Sequence, residues 1–194
     1  MPAPVLVPTM GTSSALGVHA ECADLDLYAL PSADLTGVRG MLLGAHVDQV
    51  FLRAHRPLLD DFVRGGGRLV VCGQVVLPFV AGLCPFAPLA YRSVADLTVH
   101  RLAEHPVWHG VDTADLTFRR GVAGFYGRGH YPELPASALV VHGLGPQRLP
   151  LDAVYPHGSG EVLVHGGNDL WGYAEDDTTA ARMTPALLGW VLGR

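Results

Sequence analysis

Lysine and isoleucine are missing from this chain, and asparagine occurs once, at Asn168. All thirteen basic side chains other than histidine are therefore arginines. A GC-rich coding bias leaves gaps of this kind, and a residue retained against it, Asn168 above all, marks a position held for its chemistry. Charge is scarce as well: Asp, Glu, Lys and Arg make up 16% of the residues and the formal net charge is −5. The arginines are scattered and form no basic stripe, which argues against a nucleic-acid partner. No run approaches the ~20 apolar residues of a membrane-spanning helix, and "MPAPVLVPTMG" places no basic leader before its short apolar run. The three cysteines, Cys22, Cys72 and Cys84, are odd in number and lack CxxC spacing, so neither a disulfide framework nor a zinc knuckle is expected. Together these absences predict a soluble, cytoplasmic protein with reduced thiols and no membrane partner.

What is present is an apolar chain of 194 residues, 49% hydrophobic, enough to bury a sizeable core as one domain spanning residues 1–194. Twenty-four glycines and fifteen prolines keep the elements short. "PVLVP" (4–8) reads as a strand that runs into the small and hydroxyl residues of "TMGTSS". "DLDLYAL" (24–30) alternates like a half-exposed edge strand, and "GVRGMLLGA" (37–45) is a continuous apolar run suited to a central strand covered on both faces. Helical spacing follows from Val50 to Val63, interrupted or restarted at Pro57 and closed by "RGGGR". "RLVVCG" (68–73) is another buried strand, and "QVVLPFVAGL" (74–83) a short helix broken near Pro78.

That rhythm predicts an α/β fold: a three-layer, flavodoxin-like, mainly parallel sheet with helices on both faces. A β excursion is expected in the middle of the chain, around "DLTVHRL" (96–102) and "LTFRRGVAGFYGRG" (116–129), with "HPVWHGVD" (105–112) a turn-rich loop. "ALVVHGLG" (138–145) and "EVLVHGG" (161–167) restore buried strands, separated by the turn "HGSG". The chain closes with a helix capped by Asp176 or Asp177.

In open parallel sheets the ligand crevice lies beyond the carboxyl ends of the strands. Those exits carry His46, Asp48, Cys72, Gln74, His165, Asn168, Asp169 and Trp171. Cys72, ending a strand before an expected helix, is a candidate nucleophile with His165 as its base, or else a small buried thiol. His165, Asn168, Asp169 and Trp171 offer a base, two hydrogen-bonding side chains and an aromatic wall, with Asn168 orienting either a ligand or the loop that holds it. Asp48 either caps the following helix, the reading its position favours, or faces the same way as His46. Tyr126 and Arg128 lie with His130 in a glycine-rich loop suited to covering an anionic or sugar-like ligand. The alternative is a plain hairpin. No HExxH or H-x-H pattern occurs, so neither a metal nor another cofactor is expected. Trp108, Trp171 and Trp190 either fill the core or mark a surface for homo-oligomerisation.

"GVRGMLLGAHVD", "FVRGGGRLVVCGQ", "HPVWHGVD" and "GEVLVHGGNDLW" in this order resemble the class I glutamine amidotransferase-like superfamily and, within it, the divergent ThuA-like branch. The resemblance implies a flavodoxin-like core. Glutaminase members carry a cysteine in a G-x-C-x-G elbow and a later H-x-E pair. Cys72 matches the first without a glycine two residues earlier, where Val70 stands, and His165 matches the second with Gly167 in place of the glutamate. The resemblance therefore implies a protein that acts on or binds a small polar molecule without a complete Cys-His-Glu triad. A noncatalytic, sugar-related ligand-binding or complex-forming domain is the alternative.

Overall fold

A computed structural model describes residues 3–194; Met1 and Pro2, the head of the segment read as leaderless, lie outside it. Eight strands form one sheet: β1 (Val5–Thr9), β2 (Cys22–Asp26), β3 (Gly40–Leu43), β4 (Arg68–Cys72), β5 (Val99–Arg101), β6 (Leu139–Leu144), β7 (Leu149–His157) and β8 (Gly160–His165). Their order is β2-β1-β3-β4-β8-β7-β6-β5. The first five in that order run parallel, and β7, β6 and β5 are added antiparallel. Strand order reverses at β1, which has β2 on one side and β3 on the other.

The helices are α1 (Gln49–Ala54), α2 (Arg56–Arg64), α3 (Thr113–Thr117) and α4 (Met183–Leu192). Strand alternation sends Met41, Leu43, Leu69, Val71, Val162 and Val164 to one face, against Leu52, Leu59 and Val63 of α1 and α2. Val5, Val7, Leu42, Val70 and Leu163 point the other way, against Leu187, Leu188 and Val191 of α4. This is the three-layer, flavodoxin-like arrangement. Each fully buried leucine or valine contributes about 1.5–3 kcal/mol, so the two apolar faces dominate cohesion. Trp108, Trp171 and Trp190 all belong to the second cluster and fill the core.

Several local expectations change. "DLDLYAL" is a strand only to Asp26; a 3-10 turn over Leu27–Ser32 follows, and the Asp26 carboxylate accepts its Tyr28 N–H. The helix expected over 74–83 does not form. Gln49 Oε1 accepts the N–H groups of Val76 and Leu77, and Asp60 Oδ1 accepts that of Ala81, so side chains satisfy the amides a helix would have used. α1 and α2 break at His55, with Pro57 in the first turn of α2. The final helix begins at Met183 after a 3-10 turn over Thr179–Arg182, and neither aspartate caps it; Asp176 pairs with Arg119 at 2.8 Å instead. Of the expected middle excursion, "DLTVHRL" instead supplies the edge strand β5 of the main sheet, and the remainder is two short pairings, Phe118–Arg119 with Val122–Ala123 and Ala87–Pro88 with Gly129–His130. Between the two buried strands, where the sequence predicts only the turn at 157–160, lies a further nine-residue strand, β7.

Candidate functional site

The exits of β3, β4 and β8 meet because their loops are allowed to touch. Gly73, at φ +99°, would place a Cβ 2.6 Å from Ala45 Cα, so no side chain fits between the β3 and β4 exits. Its N–H donates to His165 O at 2.9 Å, tying the β4 exit to β8. Above this junction is a cavity of about 360 Å3 lined by Ala45, by glycines of the β4 exit, the 124–128 loop and the β8 exit, and by His46, Gln74, Phe125, Arg128 and Asn168. Asn168 Nδ2 donates to Phe125 O at 3.1 Å and so fastens the 124–128 loop to the β8 exit. Arg128 Nε donates to Gly124 O at 3.0 Å, and its guanidinium lies 5.9 Å from the Tyr91 ring centroid.

A second cavity, about 210 Å3, opens between the exits of β1 and β3. Its walls include Thr9, Met10, Thr12, Ser13, Ser14, Asp169 and Trp171, and His46 lines both cavities. Ala45 N–H donates to Asp169 Oδ1 at 2.6 Å. Burial raises the Asp169 carboxyl above its ordinary value, and that N–H together with the charges of His46 and His165 opposes the rise only in part.

Beneath this rim lies a closed polar cluster. Asp152 on β7 is fully buried between His142 on β6 and His165 on β8. Its Oδ2 is 2.7 Å from His142 Nδ1 and its Oδ1 is 2.5 Å from His165 Nδ1. A carboxylate only accepts, so both imidazoles donate from Nδ1. Tyr126 OH adds a third donation, to Oδ2 at 2.8 Å, and itself accepts from Trp108 Nε1 at 2.7 Å. Burial works against ionisation of Asp152, but the charges and N–H groups of His165 and His142 outweigh it and hold the carboxyl well below the usual range. Burial, with the Asp152 charge behind it, pushes the Tyr126 phenol far up. The register places these groups: Asp152 faces His165 across β7 and β8, and an irregularity between Val140 and Gly143 brings His142 opposite Asp152 as well.

Cys72 faces His165 in register on the neighbouring parallel strand. The thiol is nevertheless buried, and burial followed by the Asp169 charge pushes it well above the ordinary cysteine value. That direction opposes thiolate formation. His165 Nε2 is buried and has no hydrogen-bond partner among the described residues, the Cys72 sulfur included. The side chains of Cys72 and His165 lie under the floor of the cavities rather than in them.

Of the residues singled out from the sequence, His46, Gln74, Arg128 and Asn168 line the larger cavity and Asp169 and Trp171 the smaller. Asp48 caps α1, accepting from Val50 N and Phe51 N at 2.9 and 3.0 Å, and also accepts from Tyr28 OH at 3.2 Å. Tyr126 belongs to the 124–128 loop that lines the larger cavity, but its side chain is turned inward to Asp152. His130 is half-buried and pairs in register with Ala87. Asp152 and His142 were missed. The one signal for Asp152 was a lone carboxylate in "LPLDAVYP", where polar residues and prolines mask the strand. Among the described residues no group of three or more His, Cys, Asp or Glu is placed to hold a metal ion. Nor is any helix among them long and apolar enough to cross a membrane.

No family model matches the chain, and no curated protein matches it by sequence. The fold recurs in solved structures. A cytoplasmic protein of Salmonella typhimurium is 11% identical over 87% of this chain and 80% of its own, with a TM-score of 0.59. A second cytoplasmic protein, from Salmonella typhimurium LT2, is 10% identical over 86% of this chain and 80% of its own, with a TM-score of 0.51. A cold-adapted β-galactosidase of Rahnella sp. R3 is 14% identical and covers 98% of this chain, with a TM-score of 0.55, while the chain spans 31% of that enzyme's length. At such identities the likeness concerns the fold alone.

Proposed function

We propose that this protein is a ligand-binding domain on a divergent class I glutamine amidotransferase-like, ThuA-like scaffold. Its ligand is a small polar molecule seated at the strand exits, and Cys72 takes no part as a nucleophile. The observation that carries the reading is the convergence of His46, Gln74, Arg128 and Asn168 on one cavity of about 360 Å3, a size suited to a small ligand. Arg128 spends its Nε on Gly124 O, which leaves its terminal N–H groups for an anionic or carbonyl oxygen. The amide of Gln74, exposed at the rim, supplies a further donor and acceptor.

The raised pKa of the buried Cys72 thiol supports the noncatalytic form of this reading over thiol chemistry. The three free thiols, Cys22, Cys72 and Cys84, support a reducing, cytoplasmic setting. The test is a thermal-shift and calorimetric screen of small carboxylates, amides and sugar acids against wild type and Arg128→Ala. Saturable binding to wild type that weakens in the variant is the expected result. If nothing in such a screen saturates, or if the arginine makes no difference, the reading falls. Iodoacetamide at mildly alkaline pH should leave Cys72 unmodified in the native protein and label it after unfolding.

A further inference from the structure

The smaller cavity sits at the switch point of the sheet, where the β1 and β3 exits diverge because the chain passes to opposite sides of β1. Its chemistry differs from that of its neighbour. No arginine lines it, and the chain has no lysine. Asp169 contributes a half-buried carboxylate whose Oδ1 takes the Ala45 N–H, and no Arg or His nitrogen lies within 4.0 Å of either oxygen among the described residues. The more distant charges of His46 and His165 offset the cost of burying this carboxylate only in part, and a cation in direct contact would relieve the remainder.

The rest of the wall, His46 apart, offers acceptors. The hydroxyls of Ser13 and Ser14 both donate to Asp24, Ser13 at 3.1 Å, and accept the N–H groups of Ala15 and Leu16, so their protons are committed and one lone pair on each remains to offer. Thr9 and Thr12 add further hydroxyl oxygens, and the Trp171 ring, on a side chain 7% exposed, forms an aromatic wall. Just outside, Asp24 and Asp26 line the adjoining surface and Asp48 lies beyond Tyr28. Acceptors, negative field and a π face together match one kind of group.

We propose that the switch-point cavity binds a small organic ammonium group. Its N–H donors go to Asp169 and the seryl and threonyl oxygens, and Trp171 packs on its charged or alkyl part. The site is separate from the one proposed above and shares only His46 with it.

The test compares cyclohexylamine with cyclohexanol, which share a ring and differ in charge, on wild type, Asp169→Asn and Arg128→Ala. Saturation-transfer NMR and calorimetry at neutral pH are the readouts. The amine should bind saturably to wild type and to Arg128→Ala, at least tenfold more weakly to Asp169→Asn, and the alcohol should not saturate. Asparagine keeps an acceptor for Ala45 N–H, and a thermal melt checks that the variant is folded. Should it fail to fold, amide shifts of 15N-labelled wild type decide: the amine must perturb residues 9–14 and Ala45. Equal binding of the alcohol, undiminished binding to Asp169→Asn, or amide shifts confined elsewhere would overturn the proposal. Loss of amine binding in Arg128→Ala would place the amine in the larger cavity and overturn it too.

Discussion

The parallel half of the sheet ends in open cavities, whereas the antiparallel half meets it in a sealed polar knot. At the rim, His46, Gln74, Arg128 and Asn168 line one cavity, and Arg128 and Asn168 each give one donor to a backbone carbonyl and keep others free. One layer below, Asp152, His142, His165, Tyr126 and Trp108 satisfy one another at 2.5 to 2.8 Å, apart from two imidazole nitrogens, with little solvent access. The contrast teaches that polar residues near strand ends divide by their partners. Groups that face each other across strands hold β6, β7 and β8 together, and groups left single at the loop tips are available to a ligand.

Substitutions that separate the two layers break or sharpen this contrast. The largest effect is expected from Asp152→Ala, which leaves two buried imidazoles and a phenol without their acceptor. Breaking a buried charged network by removing one partner costs about 3–5 kcal/mol, read as a fall in the urea midpoint. A stability loss no larger than that of a surface substitution would show that the knot does not hold the strands.

Acid should find the same group. The folded-state pKa of Asp152 is depressed, so the unfolded chain binds more protons than the native one in the acidic range. Its contribution is complete above the ordinary aspartate value of about 3.9 and is lost as pH falls through the lower, folded value. Urea melts of wild type and Asp152→Asn between pH 7 and 3 should differ in slope chiefly below about pH 4–5, with wild type losing more. Parallel slopes would assign acid sensitivity elsewhere, Asp60 first, since its carboxyl is also lowered: there the Ala81 N–H, Arg56 and His157 outweigh burial.

An intermediate effect is expected at the boundary between the layers. A Cβ on Gly167 would fall 1.8 Å from Tyr126 O and 2.7 Å from His165 Nε2. Gly167→Ala should therefore cost about 1–3 kcal/mol through overpacking and weaken binding in the larger cavity, measured by thermal melt and calorimetry. The smallest change in stability belongs to Arg128→Ala, within about 0.5 kcal/mol as for other surface positions. Its affinity loss should be the clearest, about 1.5–3 kcal/mol for one charge-assisted contact.

The parallel half was legible in the sequence because β1, β3, β4 and β8 are uninterrupted apolar runs, and the polar residues that end them define the rim. β7 was not. Pro150, Asp152, Pro156 and His157 break the alternation that identifies a strand, and two prolines argue against a central one, yet β7 pairs with β6 on one side and β8 on the other. With β7 unread, the partner of His165 was invisible. Its carboxylate partner comes from the neighbouring strand and not from two residues downstream, where the H-x-E pattern of the superfamily it resembles would place a glutamate. Tyr126 illustrates the same limit: glycine-rich surroundings reveal a turn but not which aromatic ring goes inward. The missing helix at 74–83 required knowing that Gln49 and Asp60 lie within reach of its amides, a tertiary fact.

The margins of the sheet carry a further consequence. One outermost strand, β5, has three residues, and the other, β2, alternates its short apolar side chains with Asp24 and Asp26. An incoming chain would find too few free amides on the first and would have to bury carboxylates on the second, and both features discourage fibril-like stacking. The eight-stranded sheet is thereby guarded against growing sideways.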